Sequence, residues 1–202
     1  REALKALAAT LKPSELAPLS TLALARLALE AGLPDGVFNV VTGAGSTGAA
    51  LAGHLDLDKV AFTGSTATGR RVMQAASGSP TRVSLELGGK SVNLLLDDAD
   101  FASVGALSSS VCIHGGQGCA MPTRFMVPRS RYDEAVELAA AAFAEVSYGD
   151  PSDFANLMGP LVSAKQRERV LGYIEKGKAE GARLICGGGK PAHLETGWFV
   201  EP

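Results

Sequence analysis

The chain has 202 residues, 46% hydrophobic and 20% charged, with 19 Lys+Arg against 21 Asp+Glu for a net charge of −2. That length holds one large domain or two small ones, and that balance belongs to a globular protein rather than a disordered one. There is no basic excess for binding nucleic acid through bulk charge, and no apolar run reaches the ~18 residues that span a bilayer.

Taken in chain order, Arg1–Leu11 reads as an alanine-rich helical stretch without a signal-peptide cleavage pattern. A helix is expected over Pro18–Ala31, where leucines recur among alanines, Pro18 suits the first turn and Gly32 lies just past the end. Further helices are expected over Ser46–Gly53, Thr66–Ala76 and Ser130–Ala144, the last with Asp133 and Glu134 in its first turn. Ser163–Glu180 places Val170, Leu171 and Ile174 on one face and Lys165, Arg167, Glu168 and Arg169 elsewhere. Short apolar runs bounded by turn residues predict strands at Val37–Val41, Val60–Phe62, Val83–Leu87, Val92–Leu96, Arg124–Val127 and Arg183–Ile185. This alternation predicts an α/β fold of mostly parallel sheets with flanking helices. The Gly88–Gly89 pair is the weakest point of the pattern and the expected place for a domain boundary.

Four constellations carry chemistry. Gly64-Ser65-Thr66-Ala67-Thr68-Gly69 follows a strand and opens a helix, so its backbone N–H groups sit at the positive end of a helix dipole, suited to a pyrophosphate. The same glycines also serve a tight turn and close helix packing, and the spacing does not choose. Lys12-Pro13-Ser14-Glu15 offers an ammonium and a carboxylate, suited to vicinal ribose hydroxyls; helix capping by Ser14 and Glu15, with Lys12 in water, is the plainer reading. Cys119, after His114-Gly115-Gly116-Gln117-Gly118, is an approachable thiol with backbone donors nearby, the setting of a nucleophile and an oxyanion site. Cys112 and Cys186 read instead as thiols in apolar surroundings. Glu86, between Leu85 and Leu87, is a general base if its strand buries it and a solvated edge residue if not.

Three cysteines at irregular spacing make no disulfide framework and point to a reducing compartment, the cytoplasm. His54, His114 and His193 stand apart, so no metal site is expected. A pairing of His114 with Cys119 as base and nucleophile has little in its favour, and Asp97-Asp98-Ala99-Asp100 reads as a helix cap rather than a metal cluster.

Together, and in this order, Lys12-Pro13-Ser14-Glu15, Gly32 to Val41, Phe62-Thr63-Gly64-Ser65, Leu85-Glu86-Leu87-Gly88-Gly89-Lys90 and, 33 residues after Glu86, Gly116-Gln117-Gly118-Cys119 resemble the NAD(P)-dependent aldehyde dehydrogenase superfamily. The likeness runs to Gly197-Trp198-Phe199-Val200-Glu201-Pro202. It implies that residues 1–86 are the C-terminal part of an NAD-binding domain and 87–202 the first part of a catalytic domain. It implies Cys119 as nucleophile and Glu86 as activator of the hydrolytic water. Lys12, Ser14 and Glu15 would lie at the adenosine ribose, and Gly64, Ser65, Gly69 and Leu87 along the rest of the cofactor. The cofactor implied is NAD, with NADP possible; the partners are a small-molecule aldehyde and, in the complete protein, further copies in a homodimer or homotetramer. His114-Gly115 stands where the family more usually has an asparagine-containing pair. The family's oxyanion asparagine, its Glu-x-Phe-Gly-Pro segment and its oligomerisation arm have no counterpart within these residues. A silent fragment that only binds a nucleotide or partner, and an NADP-preferring semialdehyde dehydrogenase, are the competing expectations.

Overall fold

The computed structural model describes residues 8–202. The chain divides between Leu87 and Gly88 into two compact units. The break falls at the Gly88–Gly89 pair, where strand pairing through Leu87 ends.

In the first unit, β1 (Ala9–Leu11) pairs in parallel with β2 (Phe38–Val40), and β3 (Lys59–Gly64) with β4 (Arg82–Leu87). Parallel neighbours need a crossover. The crossovers are α1 (Leu19–Glu30) and α3 (Thr66–Ala76), while α2 (Gly45–Ala52) leads from β2 toward β3. The alanines and leucines of α1 are strong helix formers. The helix stops at Gly32, whose φ of +86° lets Leu33 N–H reach the Ala28 carbonyl (3.0 Å) and Gly32 N–H the Leu29 carbonyl (2.9 Å).

Two expectations fail at the ends of the chain. Ala9–Leu11 is a strand, not the end of a helix: Ala9 N–H donates to the Val37 carbonyl (2.8 Å) and Val41 N–H to the Leu11 carbonyl (3.0 Å). Helix propensity is a weak prior over three residues, and the ladder overrides it. The rest of that expected stretch, residues 1–7, lies outside the described residues. Arg183–Ile185 is not a strand. No described strand pairs with it, and Leu184 and Ile185 are exposed. Backbone pairing occurs further on, where Gly188 N–H donates to the Glu201 carbonyl (3.1 Å) and Glu201 N–H to the Gly189 carbonyl (2.9 Å).

In the second unit, β5 (Val92–Leu94) pairs in parallel with β6 (Arg124–Met126) across a crossover containing α4 (Val104–Ser109). α5 (Tyr132–Ala144) packs on α4, with Gly105 as the close approach: a Cβ there would sit 3.3 Å from Ala142 Cβ. Leu95, Phe101, Val104 and Ala135 form one core cluster; Cys112, Val146 and Met158 form another. Arg131 donates to both Glu134 carboxylate oxygens (2.8 and 2.7 Å), which holds that carboxyl below its ordinary range, and its guanidinium lies 3.5 Å over the Phe101 ring. The last helix, α6 (Ala164–Ala179), half-buries Val170, Leu171 and Ile174 as its periodicity predicts. Arg167 departs from the expected charged face. Its Nη1 donates to the Gly197 carbonyl (3.3 Å) and its guanidinium lies 4.9 Å over Trp198, a flat cation on an aromatic face. No helix of the described residues is long and apolar enough to cross a membrane.

Candidate active site

Lys12 follows the carboxyl end of β1 and is not solvated. Its Nζ donates to the carbonyls of Pro13 and Gly43, both at 2.6 Å, and lies 3.8 Å from Glu15 Oε2. Gly43 is 31 residues away in sequence, so only the β1–β2 pairing brings the carbonyl to the ammonium. Ser14 does not cap a helix: its Oγ accepts from Leu16 N–H (3.2 Å) in a local turn, and α1 begins only at Leu19. Glu15 is exposed, its carboxylate open to solvent beside the anchored lysine.

β3 runs directly into α3 through Ser65. Ser65 is extended and its Oγ accepts from Thr68 N–H (3.2 Å), an N-cap that starts the helix cleanly. A Cβ on Gly64 would meet the Phe62 ring, which would have to shift to admit any larger residue at this strand end. Gly69 takes the close-packing role that the spacing left open. It is buried one turn into α3, where a Cβ would sit 2.9 Å from Leu87 Cδ2 and 3.5 Å from Leu85 Cδ1. Gly69 and the half-buried Leu87 therefore form the helix–strand contact behind the turn.

Glu86 stands opposite Thr63 in the β3–β4 register, and Leu87 opposite Gly64. The ladder thus sets the carboxylate-bearing residue beside the Gly64–Ser65 turn. Burial alternates along β4, and Glu86 falls on its exposed side, so of the two readings left open the structure shows the solvent-facing one.

Cys119 is exposed and Cys112 buried, as the flanking residues predict. Cys186 is exposed, contrary to expectation, because the strand that was to enclose it does not form. Burial, and secondarily the neighbouring Cys186 thiol, pushes the Cys112 thiol up from 9.0 to about 11. The approach to Cys119 is a left-handed turn: φ is +56° at His114, +61° at Gly115 and +70° at Gly116. Histidine, like asparagine, is among the non-glycine residues enriched in that region, which accounts for His114 at this place. Gln117 N–H closes the turn on the His114 carbonyl (3.2 Å). Beyond Cys119, the chain passes Gly89, where a Cβ would lie 4.0 Å from the Cys119 carbonyl oxygen. Asp100 Oδ1 accepts from Ala102 N–H (2.9 Å), the cap predicted for that acidic run. No group of three His, Cys, Asp or Glu among the described residues is arranged to hold a metal ion.

One residue of this loop is absent from the sequence-based candidates. Gln117 Nε2 donates to the His114 carbonyl (2.9 Å), and its Oε1 accepts from Val162 N–H (3.0 Å). Its place in Gly116-Gln117-Gly118-Cys119 is a signal; its partner, 45 residues later, is not readable from the motif.

Residues 3–202 match the aldehyde dehydrogenase family. The chain belongs to that family. It is 48% identical over 194 residues to betaine aldehyde dehydrogenase of Brucella ovis, a match covering 95% of this chain and 40% of that protein. Among solved structures it is similar to a Mycobacterium tuberculosis aldehyde dehydrogenase complexed with NAD+ (TM-score 0.92, 46% identity, 96% of this chain and 41% of that one). It is also similar to a mutant of aldehyde dehydrogenase C from Pseudomonas syringae complexed with NAD+ and octanal (TM-score 0.93, 44% identity, 96% and 41%). The chain thus has the aldehyde dehydrogenase fold and spans about 40% of the length of these relatives.

Proposed function

We propose that the complete protein carrying this chain oxidises an aldehyde to a carboxylic acid with NAD, and that Cys119 is its nucleophile. The observation that carries the reading is Cys119 itself: an exposed thiol three residues past a left-handed, glycine-bearing turn, within a chain of this family. The first unit is read as part of the NAD-binding domain and the second as part of the catalytic domain.

The residues fit a dinucleotide. An exposed, serine-capped helix start at Gly64–Ser65 suits a diphosphate. Glu15, 3.8 Å from an anchored Lys12, offers a carboxylate to ribose hydroxyls. Ser14 shapes that turn, and Gly69 and Leu87 support the helix start from behind. An exposed carboxylate repels a 2′-phosphate, which favours NAD over NADP. Glu15→Gln is expected to narrow the NAD preference in kcat/KM by about two- to fivefold, the scale of one exposed charge contact.

When bound, NAD supplies a hydride acceptor. Cys119 Sγ, as thiolate, adds to the aldehyde carbon, and backbone N–H groups of its loop receive the developing oxyanion. Loss of hydride from that tetrahedral carbon leaves an acyl group on Cys119 as a thioester. Glu86 takes a proton from water, the hydroxide adds to the thioester, and the carboxylic acid departs as the thiolate reforms. The relatives' names support a small aldehyde as substrate, and betaine aldehyde and octanal are the first two to test. Family membership supports a homodimer or homotetramer, and three free cysteines support a reducing compartment such as the cytoplasm.

The deciding experiment combines NADH formation with site-resolved iodoacetamide labelling of the complete protein. Activity is expected to fall in step with modification of Cys119. Full activity with Cys119 modified would overturn the assignment.

A further inference from the structure

We infer that Gln117 is the residue that positions the Cys119 nucleophile, an inference that rests on the reading of Cys119 above. The turn before Cys119 holds His114, Gly115 and Gly116 in succession at positive φ. Glycine loses more conformational freedom on folding than any other residue, so this stretch does not select a single conformer by its own sequence. Something outside it must, and the amide of Gln117 is placed to do so.

The two ends of that amide make different demands. Its NH2 group donates to the His114 carbonyl at 2.9 Å, and its oxygen accepts from Val162 N–H at 3.0 Å. A carbonyl can only accept and an N–H can only donate, so one orientation of the amide satisfies both partners. The bridge does not end on a loose loop. Leu161, next to Val162, is buried, and its N–H donates to the Trp198 carbonyl at 3.0 Å. A Cβ at Gly115 would meet Gln117 Nε2 and Leu161 Cδ2, each at 3.4 Å, so the turn is seated against the segment to which Gln117 ties it. Gln117 thus joins the glycine-bearing approach to Cys119, two residues upstream of the thiol, to a fixed part of the second unit. It does not touch substrate; it acts through the backbone that carries the sulfur.

The test uses Gln117→Met, which keeps the length of the side chain and removes both hydrogen bonds. In the complete protein kcat is expected to fall at least about tenfold with KM for the aldehyde nearly unchanged, as for an interaction that matters only at the reacting geometry. The iodoacetamide rate of Cys119 relative to exposed Cys186 should shift at least about fivefold in the folded variant, a change that a purely structural role would not produce. The same rate ratio and the same kcat in a folded Gln117→Met would overturn the inference. Should that variant fail to fold, amide hydrogen exchange of Val162 in the unaltered protein decides. Protection supports the bridge, and exchange at the rate of an open loop overturns it. An unaltered protein that keeps its activity with Cys119 modified sinks the nucleophile assignment instead, a result read independently of the Cys119 to Cys186 ratio.

Discussion

The Gly64–Ser65 turn and the Cys119 loop are both glycine-bearing backbone exposed where chemistry is proposed, and they are held in place by different means. The first is fixed locally. A strand ladder runs up to Gly64, Ser65 caps the next helix through Thr68 three residues on, and Gly69 seats that helix on Leu85 and Leu87. The second begins with three left-handed residues and is fixed at a distance, by Gln117 reaching Val162 and by Leu161 reaching Trp198. A turn fixed locally survives loss of remote contacts, whereas a loop fixed remotely depends on parts of the chain far away in sequence.

Cys119→Ala tests the loop most severely. NADH formation by the complete protein is expected to fall by roughly 10⁴-fold or more, the scale seen when a nucleophile is removed. Retained turnover would take the reaction away from this loop. Glu86→Gln probes the other region, since the β3–β4 register sets Glu86 beside the Gly64–Ser65 turn. One burst of NADH should remain, with steady-state turnover about 10²–10⁴-fold slower, as expected for loss of a general base in thioester hydrolysis. Loss of the burst would give Glu86 an earlier role.

Smaller effects separate the two supports. The Cys112 thiol lies buried upstream of the Cys119 turn and is pushed up to about 11 from 9.0. Between those values the unfolded chain gives up its proton first, so the folded state binds more protons and stability falls as pH rises. The Cys112 contribution to stability is full below about pH 9 and is reduced by roughly 2 kcal/mol toward pH 11. Urea titrations across this range should show that decline, and Cys112→Ala should flatten it. Ser65→Ala gives the smallest effect, a loss of about 1 kcal/mol in unfolding free energy from the missing cap. Its Cys119 labelling rate should be unchanged; a change would mean that the two regions are not independently held.

Much of this was legible in the residues. Helix α1, the strands β2 to β6 and the Gly64–Ser65 turn follow from apolar runs and glycine stops, signals acting within a few residues. The Glu86 and Cys119 motifs carried the family likeness, and the family match over residues 3–202 agrees with it. The misreadings were long-range. Ala9–Leu11 looked helical because its partner Phe38–Val40 lies across α1. Arg183–Ile185 and Cys186 looked enclosed because an apolar run does not reveal whether a partner strand exists.

The sequence by itself determined the α/β alternation, the helix stops, the exposed thiol at Cys119 and the buried one at Cys112. These depend on periodicity, propensity and backbone freedom, which are properties of neighbouring residues. Only the tertiary structure decided that Lys12 is held by the Gly43 carbonyl, that Arg167 lies over Trp198, that Glu86 faces outward opposite Thr63, and that Gln117 ties the turn before Cys119 to Val162. Each of those contacts joins groups that are 23 to 45 residues apart in the chain, and chain folding, not local preference, brings a donor to its acceptor across such a span.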